Sequence, residues 1–148
     1  MRNIPLGINV WESPLHLTAI IRKQVMRGGY CHCVKKYHGR IWKYDLNQAY
    51  AAAMRDTPLP CGRVYHIERG FDRAFAGIIH VNATKRGNIV PFYYRASDGA
   101  ACFGTDEIND TWITSNELAQ LESENWKIEI KESYRWDESF TMRDYVRK

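Results

Sequence analysis

An α+β fold, with a mainly antiparallel sheet flanked by a few helices, is what this sequence predicts. β-Branched and aromatic runs at 75–83, 111–114 and 127–131 lie between Gly, Asn and Asp turn signals, as strands do. Helical signals are fewer. A Ser13-Pro14 start precedes an apolar stripe near the N-terminus, and a capping-box run, Thr114-Ser115-Asn116-Glu117, comes late in the chain. Hydrophobic residues make up 45% and charged residues 26%, which favours neither a disordered nor a fibrous class. The 148 residues suffice for one domain with a respectable core.

Residues 1–12 read as an extended lead-in, because Pro5 and Gly7 discourage helix. Ser13 then caps a long helix with Pro14 at its first position. Leu15, Leu17, Ile20, Ile21 and Val25 form its apolar face down to Met26, and Gly28-Gly29 ends it. Residues 30–36 and the run Ile41-Trp42-Lys43-Tyr44 make a β-hairpin across His38-Gly39-Arg40. Cys31-His32-Cys33 and His38 do not form a zinc site: both thiols share one strand face, His32 takes the other, and no second Cys pair stands at a useful spacing. Two small apolar thiols facing a core is the expected arrangement.

A small-residue run, Ala49 and Ala51-Ala52-Ala53, then favours a helix turn. Strands follow at 63–67, 75–83 and 89–94, the last at a sheet edge because it contains Pro91. Turns separate them at 68–70 and 85–88, and 97–99 turns the chain towards short strands at 101–104 and 111–114. Leu118, Leu121 and Trp126 line one face of a short helix ending near Asn125. Ile128 and Ile130 alternate with charge in a half-buried strand that continues through Tyr134 and Trp136. Phe140, Met142 and Tyr145 start a final helix. Repeats and low-complexity segments are absent from the sequence.

The net charge is +4, and its distribution is uneven. Residues 1–45 hold eight Lys and Arg against two acids, hence +6, while the remainder holds thirteen against fifteen, hence −2. Positive charge gathered in one part of a chain suits a polyanion such as nucleic acid. It also suits an exposed hairpin kept soluble by Lys35, Lys36 and Arg40. The four cysteines lack disulfide-framework spacing, and no apolar run is long enough to span a bilayer. A cytoplasmic protein with reduced thiols and no membrane partner is the expectation.

The stretch with most chemical content is Tyr44-Asp45-Leu46-Asn47-Gln48-Ala49-Tyr50, continued to Met54 and closed by Leu59-Pro60-Cys61-Gly62. Asp45 stands between an expected strand end and an expected helix start. A carboxylate there fits either of two roles, cap of the following helix or ligand of a metal ion. The run resembles the first catalytic motif of family B DNA polymerases, most closely that of the protein-primed branch of phages, other viruses and linear organellar plasmids. Asp45, Asn47, Tyr50, Met54, Leu59, Pro60 and Gly62 match the motif, whereas Gln48, Ala49 and Ala51 replace its Ser, Leu and Pro. Met26-Arg27-Gly28-Gly29-Tyr30 is similar to the family's Tyr-x-Gly-Gly element, with Met26 for the aromatic. The order from 89 to the aromatic-rich tail looks like the family's insertion between the first and second motifs. The resemblance spans roughly residues 22–148.

The resemblance implies a partial polymerase palm at 1–62 and a β-rich insertion at 63–148 that engages a terminal protein primer and DNA. It implies that Asp45 and the Leu46 carbonyl bind Mg2+, and that Leu46, Asn47, Gln48, Ala49 and Tyr50 line the pocket for a dNTP, with Tyr50 excluding a 2′-hydroxyl. Arg27, Gly28 and Gly29 would contact DNA. Neither a second motif nor a Tyr-x-Asp-Thr-Asp run occurs in the sequence, so the second catalytic carboxylate would come from a partner chain carrying the missing motifs. Three readings follow: a fragment or split subunit of a protein-primed DNA polymerase, inactive alone; a non-catalytic nucleic-acid- or protein-binding module descended from one; or an unrelated small α+β domain in which Asp45 only caps a helix.

Overall fold

A computed structural model describes residues 15–27, 38–43, 45, 47, 49–88, 93–95, 101–102 and 104–143. In chain order the elements are α1 (Leu15–Ile20), a π-helical turn (Ile21–Val25), α2 (Ala49–Asp56), β1 (Leu59–Ile67), β2 (Gly77–Thr84), β3 (Tyr94–Arg95), β4 (Ala101–Cys102), β5 (Glu107–Thr114), α3 (Ser115–Ser123) and β6 (Lys127–Phe140). The fold is α+β. Four strands form one antiparallel sheet in the order β1-β6-β2-β5, and β3 pairs with β4 separately.

Alternation along β2 decides how the sheet is covered. Ile79, Val81 and Ala83 point to one face, where they join Ile108 and Ile113 of β5, Leu118 and Leu121 of α3, and Trp126. Ile78 points to the other face and packs with Trp112, Trp136 and Leu17 of α1, flanked by Ile20, Ile21 and Val25. Each such side chain taken out of water contributes about 1.5–3 kcal/mol before chain entropy is charged against it. The sheet is therefore the middle of three layers, with α3 on one side and α1 plus its π turn on the other.

The N-terminal helix is not uniformly α. The Met26 N–H donates to the Ile21 carbonyl at 2.7 Å, five residues back, so the last turn is π-wide. That turn packs Ile20, Ile21 and Val25 against the face formed by Trp112 and Trp136. The capping box at α3 is as expected. Thr114 Oγ1 accepts from the Glu117 N–H at 3.3 Å, and Glu117 Oε2 accepts from the Thr114 N–H at 2.8 Å.

Several elements differ from expectation in extent. β1 starts at Leu59 instead of 63, because Pro60 sits on the sheet's border strand, where a missing N–H is tolerated. β5 likewise starts earlier, at Glu107, through its pairing with β2. Phe140 does not open a helix: it ends β6, paired with Leu59. Residues 41–43 are exposed and outside any strand. A lone extended run leaves half its backbone groups unpaired, and no described strand lies beside this one. The expected strand at 30–36, the Cys31-His32-Cys33 run, residues 89–92 and Tyr145 lie outside the described residues.

The Leu59-Pro60-Cys61-Gly62 run has a local physical explanation. Pairing of β1 with β6 shifts between Cys61 and Val64, and Gly62 takes φ +82° at that bulge. Asp137 Oδ1 turns into the space and accepts the Arg63 N–H at 2.7 Å. A Cβ on residue 62 would stand 2.1 Å from that oxygen.

Just upstream, α2 is tied to the end of β6. Arg143 Nε donates to Asp56 Oδ1 at 2.9 Å, while Arg55 Nε donates to Asp56 Oδ2 at 2.7 Å. The Arg55 guanidinium, and then that of Arg143, hold the Asp56 carboxyl below the ordinary aspartate range.

Two outcomes are expected. Gly62→Ala lowers unfolding free energy by about 1–3 kcal/mol in urea titration, through the left-handed backbone and the displaced Asp137 contact. Asp56 is lowered in the folded state, so its contribution is present above the ordinary value of 3.8 and is lost as pH falls through its folded pKa. Asp56→Asn should therefore melt slightly earlier than the parent at neutral pH, with the two melting curves converging as acidification proceeds below pH 3.8.

Candidate functional site

Asp45 is exposed, four residues ahead of the start of α2 at Ala49. Asn47 is an exposed turn residue. Ala49 opens α2 and is exposed, and Tyr50 beside it is 87% exposed. Leu46 and Gln48 lie outside the described residues. The alanine-rich sequence explains why a helix starts here, since alanine has the highest intrinsic helix propensity. Thr57 Oγ1 caps its other end by donating to the Ala53 carbonyl at 2.5 Å.

The residues shortly before Asp45 in the chain include an exposed aromatic ring and cations. Ile41 is 77% and Trp42 65% exposed, and the Arg40 guanidinium sits 4.5 Å from the Trp42 ring centroid. Lys43 is also exposed. Exposed rings, cations and carboxylates are the kinds of group that respectively stack on bases, neutralise phosphates and hold a hard cation. Asp45 supplies one hard oxygen donor. Among the described residues no group of three or more His, Cys, Asp or Glu could hold a metal ion, so Asp45 fits such an ion only as one member of a shared ligand set.

Arg27, which the resemblance assigns to DNA contact, packs its side chain against the β5–α3 corner. Its side chain is 8% exposed and its guanidinium pairs with Glu117 Oε1, which is itself 18% exposed. A second guanidinium nitrogen donates to the Trp112 carbonyl at 3.2 Å, and the Tyr93 ring lies 5.9 Å away. Arg27 thus contacts the β5–α3 corner, and its charge is spent on Glu117. Gly28 and Gly29 lie outside the described residues.

Sequence reasoning identified Glu117 as half of a capping box and missed its second task. Nothing in a capping-box pattern signals that the other carboxylate oxygen is taken by an arginine ninety positions away in the chain. It also missed a polar cluster where four strands run side by side. His80 Nε2 lies 3.1 Å from Asp110 Oδ1 and its Nδ1 3.4 Å from Glu132 Oε1, while His66 Nε2 lies 2.8 Å from Glu132 Oε2. Lys131 Nζ reaches Asp110 Oδ1 at 2.7 Å and holds that carboxyl below its ordinary range, and His80 stacks on Trp112 at 4.8 Å. Strand pairing brings these groups together, with Asp110 and Lys131 standing at shifts in the register.

Comparison with known proteins supplies the context for this geometry. A family model described as DNA polymerase type B, organellar and viral, matches residues 15–148. Among solved structures, phi29 DNA polymerase complexed with primer-template DNA and incoming nucleotide substrates shares the fold at 18% identity and a TM-score of 0.59, over 90% of this chain and 26% of that one. The same polymerase in a post-translocation binary complex with primer-template DNA aligns at 19% identity and a TM-score of 0.49, over 68% of this chain and 19% of that one. This chain spans about a quarter of the length of the phi29 enzyme. None of the curated proteins compared matches it. Because the family model runs unbroken from α1 through the Asp45 stretch to the end of β6 and beyond, the chain belongs to the organellar and viral type B DNA polymerases.

Proposed function

We propose that this chain contributes the first catalytic motif and the following insertion of a protein-primed DNA-directed DNA polymerase, and that it acts together with a polypeptide carrying the remaining motifs. The observation that carries this reading is the family match over residues 15–148, a span that includes the exposed residues Asp45, Asn47 and Tyr50. Residues 1–62 form the partial palm and 63–148 the insertion, with β1 straddling the two.

Asp45 and the Leu46 carbonyl would hold Mg2+, in company with a carboxylate of the partner polypeptide. When bound, divalent ions of this kind stabilise the attacking and leaving oxygens of an in-line phosphoryl displacement. The backbone from Leu46 through Asn47, Gln48 and Ala49 faces the dNTP triphosphate, and the Tyr50 ring lies under the sugar. With Arg27 already neutralised by Glu117, close approach to the DNA phosphates falls to the backbone of Gly28 and Gly29, where no side chain intervenes. The insertion offers its outer surfaces to a terminal protein primer and to DNA.

The test is reconstitution. The chain is mixed with a polypeptide supplying the second and third motifs, primer-template DNA, Mg2+ and labelled dNTP. Incorporation is expected only when both polypeptides are present, and Asp45→Ala should lower it by more than about a hundredfold. Full activity in that variant would instead support a non-catalytic binding module of polymerase descent. Binding of single-stranded DNA by the chain is expected to weaken steeply with salt, as phosphate-dominated contacts do.

A further inference from the structure

Strand register brings an arginine up against two rings where β6 runs between β1 and β2. Arg135 stands across from Tyr65 on one side and from Gly77 on the other, and Gly77 has no side chain to crowd it. Phe75, two residues ahead of Gly77, supplies a ring there. The guanidinium carbon lies 4.1 Å from the Phe75 ring centroid and 4.9 Å from that of Tyr65, which is 41% exposed. Rings hold a cation without neutralising it. They attract it through the π face and accept no strong hydrogen bond, so the five N–H donors of a guanidinium stay open. Among the described residues Arg135 has neither an ion pair nor a side-chain hydrogen bond, and none of its nitrogens is buried. Arg55, Arg73 and Arg143 instead spend their charge on Asp56 or Glu122. The next acid along β6 does not serve Arg135: Asp137 accepts the Arg63 N–H at 2.7 Å through Oδ1 and the Tyr65 hydroxyl at 3.5 Å through Oδ2. It steadies the ring and leaves the cation unmatched.

We infer that Arg135 is a phosphate-binding residue, held by the Phe75 and Tyr65 rings so that its N–H fork meets a phosphate of a nucleic-acid strand or of a free nucleotide. A planar guanidinium fixed in place is preorganised for two oxygens of one oxyanion. The exposed part of Tyr65 adds a flat apolar surface beside the charge, which suits a phosphate joined to a base and which a protein carboxylate would leave unused. Asp137 and Glu138 follow directly in the chain, so the site suits one phosphate and not a run of them. The inference rests on this geometry and goes beyond the polymerase reading, in which Arg135 has no role.

The experiment uses the whole chain and a labelled single-stranded oligonucleotide, with fluorescence anisotropy read over a salt series and melting temperature recorded for each protein. Arg135→Met is expected to bind about threefold to tenfold more weakly, and the slope of log affinity against log salt should fall by about 0.7, the share of one strand phosphate. Arg135→Lys keeps the charge and loses the fork, so it should bind more weakly with the parent's slope. Competition by unlabelled dNTP that Arg135→Met abolishes assigns the phosphate to a free nucleotide, and competition by oligonucleotide alone assigns it to a strand; either supports the site. Arg135→Met that binds as the parent does, or that weakens with an unchanged slope, overturns the inference. Should that variant fail to fold, Arg135→Lys decides, because parental affinity in it is equally fatal. Polyglutamate that competes as well as an oligonucleotide of equal charge would overturn the inference by making the ligand a carboxylate. If the unaltered chain binds neither oligonucleotide nor nucleotide, the inference falls, while reconstituted incorporation still tests the polymerase reading.

Discussion

β6 hydrogen-bonds β2 from Lys127 to Arg135 and β1 from Ser133 to Phe140, so a single fourteen-residue strand joins the two halves of the sheet. Without it β1 would have no described neighbour, and Arg143, three residues past the end of β6, would lose the strand that carries it to Asp56 of α2. Its side chains also divide the interior, with Ile128 and Ile130 against the α3 core and Trp136 under Leu17. The cost of ordering so long a strand is met by two partners instead of one, with burial concentrated at Ser133 and Trp136 in its middle.

Elements whose determinants are local were legible in the sequence. The α3 capping box needs only Thr114 and Glu117 at their spacing, and the β2 alternation needs only its own residues. Elements set by partners were not. The extension of β1 to Leu59 and of β6 to Phe140 depends on each strand's finding the other, and the π turn depends on which wall receives Ile21 and Val25. Residues 41–43 illustrate the converse: despite strong β propensity they pair with no described strand and are exposed and irregular.

The candidate site was legible in a different sense. Asp45 and Tyr50 were singled out by the order of residue types around them, and their exposure is compatible with ligands that this chain meets from outside. The Arg27 guanidinium, next to a packed turn, pairs with the part-buried Glu117 carboxylate within the fold. Charge counted along a chain overstates the charge offered to a partner wherever such pairs form.

The irregular border of the sheet has a consequence for assembly. A straight outer strand is a template on which another copy can add, but β1 interrupts that template twice within three residues. Pro60 has no amide hydrogen to give, and the kink at Gly62 throws the next carbonyls out of register. The side of the sheet that ends in β1 is accordingly poorly suited to fibre growth, although that strand carries the exposed aromatic Tyr65.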